Sequence, residues 1–301
     1  MPPRVALIGS PVLDTLRLAD GTEFQSFGGI LYSLAAMARH AGDRLALYPV
    51  FYIGEAERPA LEALLRRLPG VHPDHIKTAE ATHRNLLVYH PDGSRTEYFQ
   101  ARGRGLSLPD LLPVLEFEGF FVNYIHPSDL PREVFRSLSR GTTGWLYLDV
   151  HSLIRAPDNA GVYRARPLPG WQEVLSWVDL VQMNEEEARV LTGLELPPGP
   201  EGLAVLLQMI LTLGPSVATV TLGSQGALMA ERLRRKNRAP VLRRPPQAVQ
   251  ARHTTGCGDV FGAVFFAEFL LTEDPYRALE AALRRAAEHA AGTFLPFPLG
   301  L

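Results

Sequence analysis

The sequence predicts an α/β protein, a mainly parallel central sheet flanked by helices. Short β-rich apolar runs alternate with longer amphipathic stretches along the 301 residues, the pattern of strands separated by crossover helices. At 46% hydrophobic and 21% charged, the composition is rich enough for a large buried core and excludes a disordered chain. Two Asp-Gly dipeptides interrupt the rhythm early, each at the centre of a candidate hairpin.

Strands are expected at 5–8, 45–53, 119–125, 145–150, 178–183 and 217–222. Between them, 30–40, 55–68, 184–191 and 202–211 have the apolar spacing of helices. From residue 258 the chain reads as two helices, divided at Asp274-Pro275, where a proline in the first turn restarts the second. The hairpins lie at 15–27 around Asp20-Gly21 and 85–100 around Asp92-Gly93. In the second, Leu87, Tyr89, Thr96 and Tyr98 alternate in part, as in a sheet with one wetted face. Two such hairpins suggest a small β-layer able to cover a cleft, and surface hairpins without a role give the same pattern. No repeat, heptad array or long low-complexity linker divides the chain. A single domain over 1–301 is expected, with lid insertions at about 15–27 and 85–104.

Thirty basic and 32 acidic residues give a formal charge of −2, so no global pull toward nucleic acid or anionic membrane is expected. The basic run of Arg232, Arg234, Arg235, Lys236, Arg238, Arg243 and Arg244 lacks interleaved aromatic residues for stacking and reads as a solvated hairpin. The longest apolar block, 260–271, is interrupted by Glu268 and falls short of the ~20 residues a spanning helix needs. The apolar run within the first nine residues is too short for a secretory signal. Cys257 is the single cysteine, which excludes an intrachain disulfide and fits a reducing compartment. A cytoplasmic protein is the expectation. His72, Asp74 and His75 surround Pro73 with no third ligand nearby and read as a loop. A Walker-type loop and a G-x-S-x-G elbow are both missing from the sequence.

The most informative segment is His253-Thr254-Thr255-Gly256-Cys257-Gly258-Asp259. Two glycines around one small residue let the backbone approach a ligand, and the helix beginning there aims its unpaired N–H groups at the same spot. That is the equipment of an anion site. The helix that follows is apolar on nearly all faces, so it should be buried and rigid, as a preorganised electrostatic site requires. Asp259 in its first turn is placed to take a proton from a hydroxyl beside a bound phosphate, which is the chemistry of phosphoryl transfer to an alcohol. On these seven residues alone, a carboxylate capping a helix behind a glycine turn explains Asp259 equally well.

The TTGCGD segment resembles the C-terminal signature of the ribokinase-like, or PfkB-type, sugar kinases, commonly DTTGAGD. Further elements follow in family order over nearly the whole chain. Gly9-Ser10-Pro11-Val12-Leu13-Asp14 is similar to the first-strand motif, and Gly28-Gly29 with Ser33 and Ala35 is similar to GG-x-x-x-N-x-A. Asn184 and Glu187 match the N-x-x-E element, and the segment 220–227 matches the nucleotide-side strand and turn. The resemblance implies a ribokinase-like fold whose small β-hairpin lid covers the acceptor. It implies Asp259 as base, the Gly256, Cys257 and Gly258 turn as anion hole, and Asp14, Gly28, Gly29 and Ser33 on the substrate. On the nucleotide side it implies Thr221, Gly223 and Gly226, with Asn184 and Glu187 ordering the water shell of a Mg2+ that has no direct protein ligand. Three and four residues apart on a helix share a face, so an amide and a carboxylate at 184 and 187 suit that task. A solvated acidic helix start, with Glu185, Glu186 and Glu187 together, suits the same residues.

Several positions depart from the family pattern. His253 stands where the first Asp of the signature is usual, which puts potassium activation in doubt. Ser33 replaces a frequent Asn, Val150-His151 after Asp149 replaces a common Pro-Asn, and 282–287 lacks the family Asn. Together these imply a changed substrate pocket. Arg102 and Arg104, and more weakly Arg84, are candidates for pairing with a phosphate or carboxylate on the acceptor. The expected activity is ATP-dependent, Mg2+-assisted phosphoryl transfer to a hydroxymethyl group of a sugar, sugar acid or nucleoside. The alternative is a kinase-fold sensor of sugar or nucleotide that no longer turns over. No nucleic-acid or membrane partner is expected, and the exposed hairpin faces suggest a homodimer through the lids, as in some members of the family.

Overall fold

A computed structural model describes residues 1–296 except 93, 198, 233–239, 246 and 247. Strand β1 (Arg4–Ile8) runs into an antiparallel pair, β2 (Pro11–Arg17) and β3 (Glu23–Gly29), followed by helix α1 (Ile30–Ala41). Next come β4 (Ala46–Gly54), α2 (Arg58–Leu65) and β5 (Ile76–Ala79), then a second pair, β6 (His83–Tyr89) and β7 (Arg95–Ala101). The middle of the chain holds α3 (Leu108–Leu111), β8 (Gly119–Asn123), α4 (Arg132–Gly141), β9 (Trp145–Asp149) and a short ribbon, β10 (Arg155–Pro157) with β11 (Tyr163–Ala165). Helix α5 (Trp171–Leu175), β12 (Leu180–Asn184), α6 (Glu185–Thr192) and α7 (Pro200–Leu213) precede β13 (Val217–Thr221), β14 (Ala227–Glu231) and β15 (Val241–Arg243). Helices α8 (Cys257–Thr272) and α9 (Pro275–Ala290) complete it.

The large sheet has the order β15-β14-β13-β12-β9-β8-β1-β4-β5 and is parallel from β13 to β5, with β14 and β15 antiparallel at one edge. Side-chain alternation sends Val5 and Leu7 of β1 into one core and Ala6 and Ile8 into the other, as a strand covered on both faces requires. Helices α1, α2, α8 and α9 form the first core, and α4 to α7 the second. Helix α8 is buried from Val260 to Phe269 and packs on α1 and α9. Each of its fully buried phenylalanines contributes about 1.5–3 kcal/mol of transfer free energy. This anchors the turn at its N-terminus.

The two hairpins do not stay separate. They form one four-stranded sheet, β3-β2-β6-β7, in which β2 and β6 pair in parallel. The first hairpin begins at Pro11 rather than 15, because β2 pairs with β3 as far as Pro11 opposite Gly29. Asp14 therefore sits in the middle of β2. Strands β5, β14 and the β10–β11 ribbon were not expected from the sequence. β5 is only four residues long, and the ribbon strands are three each, too short for a periodic signal. Gly93 of the second turn and most of the basic run fall outside the described residues, while Asp92 accepts the Ser94 N–H at 2.9 Å and Arg232 donates to the carbonyls of Gly214 and Pro215.

Candidate active site

Strand β1 lies between β8 on one side and β4 on the other, so the connections diverge there, and ligands of open α/β sheets bind beyond the carboxyl ends of strands at such a point. The residues that converge there come from the ends of β8, β9 and β12, the small sheet and the N-terminus of α8.

Gly256 is the N-terminal cap of α8 with φ 79°, a left-handed geometry that L-residues avoid. A Cβ there would stand 2.8 Å from Tyr32 Cδ1, so both conformation and space demand glycine. Cys257 and Gly258 then open the helix, the Cys257 N–H donating to the Thr254 carbonyl at 3.2 Å. The Cys257 thiol is pushed up to about 11, by burial and secondarily by Asp259, so it is not poised as a nucleophile. His253 and His289 pack edge to face with centroids 4.7 Å apart, and His289 Nε2 hydrogen-bonds the Thr255 carbonyl at 2.9 Å. The signature loop is thus braced from α9.

Asp259 receives a hydrogen bond from Asn123 Nδ2 at 2.7 Å on its Oδ1. Burial raises its pKa above the ordinary carboxylate value, against the opposing pull of His151 and Asn123. A carboxylate held ready to accept a proton is what a base beside an anion turn needs. Asn123, at the end of β8 and fully buried, also donates to Ser33 Oγ at 3.3 Å. Ser33 itself is fully buried, so the structure sets it behind Asn123 as a brace. Sequence reading missed Asn123, although a lone amide closing an apolar strand, Phe120-Phe121-Val122-Asn123, was the available signal. Gln182 was missed too. Its Nε2 reaches Gly258 O at 3.1 Å and Asp149 Oδ2 at 3.3 Å, while its Oε1 accepts from Tyr147 at 2.6 Å.

Asn184 and Glu187 form a reciprocal capping box, each accepting the other's backbone N–H at 2.8 Å. That takes up Glu187 Oε2, while Oε1 lies 3.6 Å from His151 Nδ1. His151 has φ 23°, a strained value that costs on the order of 1–3 kcal/mol. Burial works against its protonation, but Glu187, Asp259 and Asp149 outweigh it and lift its pKa to about 9. Asp149 beneath is raised well above the carboxylate range, by burial first and Glu187 second. A cationic imidazole therefore stands among three carboxyl groups at the end of the sheet. Thr221 closes β13 opposite Asn184, and Gly223 opens the turn beyond it. Gly226 is required by packing, since a Cβ there would meet Arg243 O at 1.9 Å.

On the small sheet, a Cβ at Gly28 would fall 2.3 Å from Asp14 Oδ2, so glycine keeps the space over that carboxylate open. Gly29 sits beside it as the cap of α1. Burial, aided by Glu97, raises Asp14 to about 7, and its Oδ1 is buried with no partner among the described residues. Arg102 is exposed at the end of β7 and pairs with no carboxylate among the described residues. Arg104 lies over the Tyr52 ring, and Arg84 pairs with Glu57, so neither is free for an acceptor. A surface cavity of about 380 Å3 walled by Tyr124, Phe135 and Trp177 shares no residue with this site.

A nine-stranded sheet crowned by a helix-terminal anion turn, with a small sheet facing it, defines a ribokinase-like protein. Similar solved structures extend over nearly the whole chain. A pyrophosphate-dependent kinase of the ribokinase family, in a sulfate complex, superposes with a TM-score of 0.78 at 18% identity, covering 98% of this chain and 97% of that one. Ribokinase from Arabidopsis thaliana with ribose and ATP gives 0.76 at 21%, covering 96% and 93%. Phosphofructokinase-2 from Escherichia coli gives 0.72 at 20%, covering 98% and 95%. These likenesses establish the fold. No curated protein matches the chain in sequence. Residues 147–293, just under half of the chain, match the pfkB family carbohydrate kinase domain.

Proposed function

We propose that this protein transfers the γ-phosphoryl group of ATP to a hydroxymethyl group of a sugar, sugar acid or nucleoside. The observation that carries this is Asp259, tied to Asn123 at 2.7 Å in the first turn of a buried helix behind the Gly256–Gly258 turn. Asn123 holds one carboxylate oxygen and leaves the other to take the hydroxyl proton. As that proton leaves, the hydroxyl oxygen bonds to the γ-phosphorus and the bond from phosphorus to the ADP oxygen breaks. Within the 256–258 turn the Gly256 and Gly258 amides, which no backbone carbonyl takes up among the described residues, would meet charge gathering on the transferred oxygens. Asp14 accepts hydrogen bonds from acceptor hydroxyls, with Gly28 and Gly29 letting the acceptor lie against backbone. Arg102 lies at the rim, and Thr221, Gly223 and Gly226 form the nucleotide side.

The oxygen donors at the end of β12 fit a hydrated Mg2+, because Glu187 Oε1 is not used by the helix cap and hard cations of this size keep several waters. Asn184 and Glu187 would hold it through water, and bound to the donor it supplies charge neutralisation between phosphates. The small sheet closes over the acceptor and excludes water, and its outer face is where a homodimer would form. No described helix is long and apolar enough to cross a membrane, and dependence on ATP suits the cytoplasm.

The test is product release from Mg-ATP, and separately from pyrophosphate, against a panel of sugars, phosphosugars, sugar acids and nucleosides, with Asp259→Asn as control. Release that requires one acceptor and vanishes in the control supports the kinase. Stoichiometric binding without turnover of any pair would instead support a ligand sensor, the reading motivated by His253, Ser33 and His151.

A further inference from the structure

The loop after β8 carries a buried histidine that the reaction above does not use. His126 is 4% exposed, and its ring lies 5.5 Å from that of Phe99 and 5.1 Å from that of His83. These neighbours place it against the small sheet, beside β6 and β7. Register across the small sheet aligns Asp14 with Asn85 and Asn85 with Phe99, so the three side chains share one face. At a strand spacing of ~4.8 Å, Phe99 stands about 10 Å from Asp14. The face that carries Asp14 over Gly28 therefore ends, two strands away, at His126.

The hydrogen bonds assign its tautomer. Ser128 N–H donates to His126 Nδ1 at 3.1 Å, which puts the ring proton on Nε2. That N–H is buried and meets no acceptor among the described residues. Burial, then His83 and Arg102, hold the pKa down to about 4, so the ring is a neutral donor across the working pH range. Its companions are satisfied. His83 Nδ1 accepts from Gly103 N–H at 3.1 Å, and its Nε2 faces Asp129 at 3.2 Å. Asp129 also takes the amides of Ile125 and His126 at 2.9 Å each. His83, His126 and Asp129 are close enough to suggest a metal site, but both Nδ1 lone pairs and the carboxylate are already engaged. What remains is one surplus donor. Buried donors are almost always paired, so this one points to a bound oxygen. The charge of Arg102 reaches the same spot.

We infer that His126 is a specificity residue of the acceptor site, its Nε2–H receiving with Arg102 the anionic end of the acceptor, a carboxylate or phosphate oxygen, while Asp14 holds the hydroxyls nearer Asp259. An oxygen that only accepts, and that carries charge, matches a neutral donor backed by a cation. The inference names the acceptor class within the kinase reading.

The experiment compares wild type, His126→Phe and His126→Gln by calorimetric binding and by turnover, using glucose, gluconate and glucose 6-phosphate as probes. Phenylalanine keeps the ring contacts without a donor, and glutamine keeps a side-chain N–H. Wild type should prefer one anionic probe over glucose by tenfold or more, and which one identifies the anion. His126→Phe should weaken that probe by about 10- to 100-fold, the range of a hydrogen bond to a charged group. It should leave donor KM and glucose binding unchanged, and glutamine should recover part of the loss. Equal binding of all three probes by wild type, or an unchanged His126→Phe, overturns the inference. Anion preference without turnover would sink the kinase reading and leave the subsite standing. Turnover without the preference would do the reverse.

Discussion

Replacing Asp259 by Asn changes one oxygen for one nitrogen in a side chain whose hydrogen bond to Asn123 survives, because the amide oxygen of the variant still accepts from Asn123 Nδ2. What disappears is the ability to take a proton. General-base contributions run to about 10²–10⁴-fold, or ~2.7–5.4 kcal/mol at 1.36 kcal/mol per decade, and kcat for the best acceptor should fall by that much with substrate KM values little changed. Stability should move the other way. Burial holds the Asp259 pKa above its ordinary value of 3.8, so between those two values the native state binds more protons than the unfolded one. Wild-type stability therefore falls as pH rises through that window and stays lower above it, a loss the amide does not suffer. Thermal melts from pH 3.5 to 8 should show the two proteins converging at the acid end and the variant equal or higher at neutral pH. A kcat within tenfold of wild type would make Asp259 a helix cap and no more. A variant that melts well below wild type at pH 7 would refute the burial argument.

Other outcomes follow from the same geometry. With Asp14 raised to about 7, kcat/KM for the acceptor should climb as pH passes from 6 to 8, and Asp14→Asn should flatten that climb and lower the plateau about 10- to 100-fold in initial-rate assays. His151, lifted to about 9 among Glu187, Asp259 and Asp149, stabilises the fold below its unfolded value near 6.5, a benefit lost as pH rises through 9. Urea titrations of His151→Asn should lack that alkaline loss. Gly256→Ala meets Tyr32 at 2.8 Å at φ 79°, whereas Gly223→Ala at φ 57° meets nothing within 4 Å. The first should cost more than the ~1–2 kcal/mol of left-handed strain and raise donor KM, and the second should cost about that strain alone.

The parts of the molecule legible in the sequence are those with a local physical signature. The α/β alternation and the buried helix after Gly258 each follow from residues near one another in the chain, and each sits where its pattern puts it. Asn123, Gln182 and His126 escaped because single polar residues within or just beyond strands acquire meaning only from neighbours brought in by the fold, here Asp259, Asp149 and Phe99. For the same reason the packing demand for glycine at 226 was hidden, because it comes from the carbonyl of Arg243, seventeen residues on. The joining of the two hairpins was equally hidden, because alternation within a strand says nothing about which distant strand it will pair with.

That joining has a consequence for how the protein is made. Each hairpin is a local structure, but the parallel seam between β2 and β6 closes only across everything from β3 to β5, and long-range pairing of this kind comes late in folding because its loop must be closed first. Asp14 is synthesised early, yet the surface that turns it into a binding residue, with Asn85 and Phe99 beside it, does not exist until β7 has emerged from the ribosome and docked. The face proposed to recognise the acceptor is thus assembled only when two hairpins distant in the chain have met, later than either hairpin forms on its own.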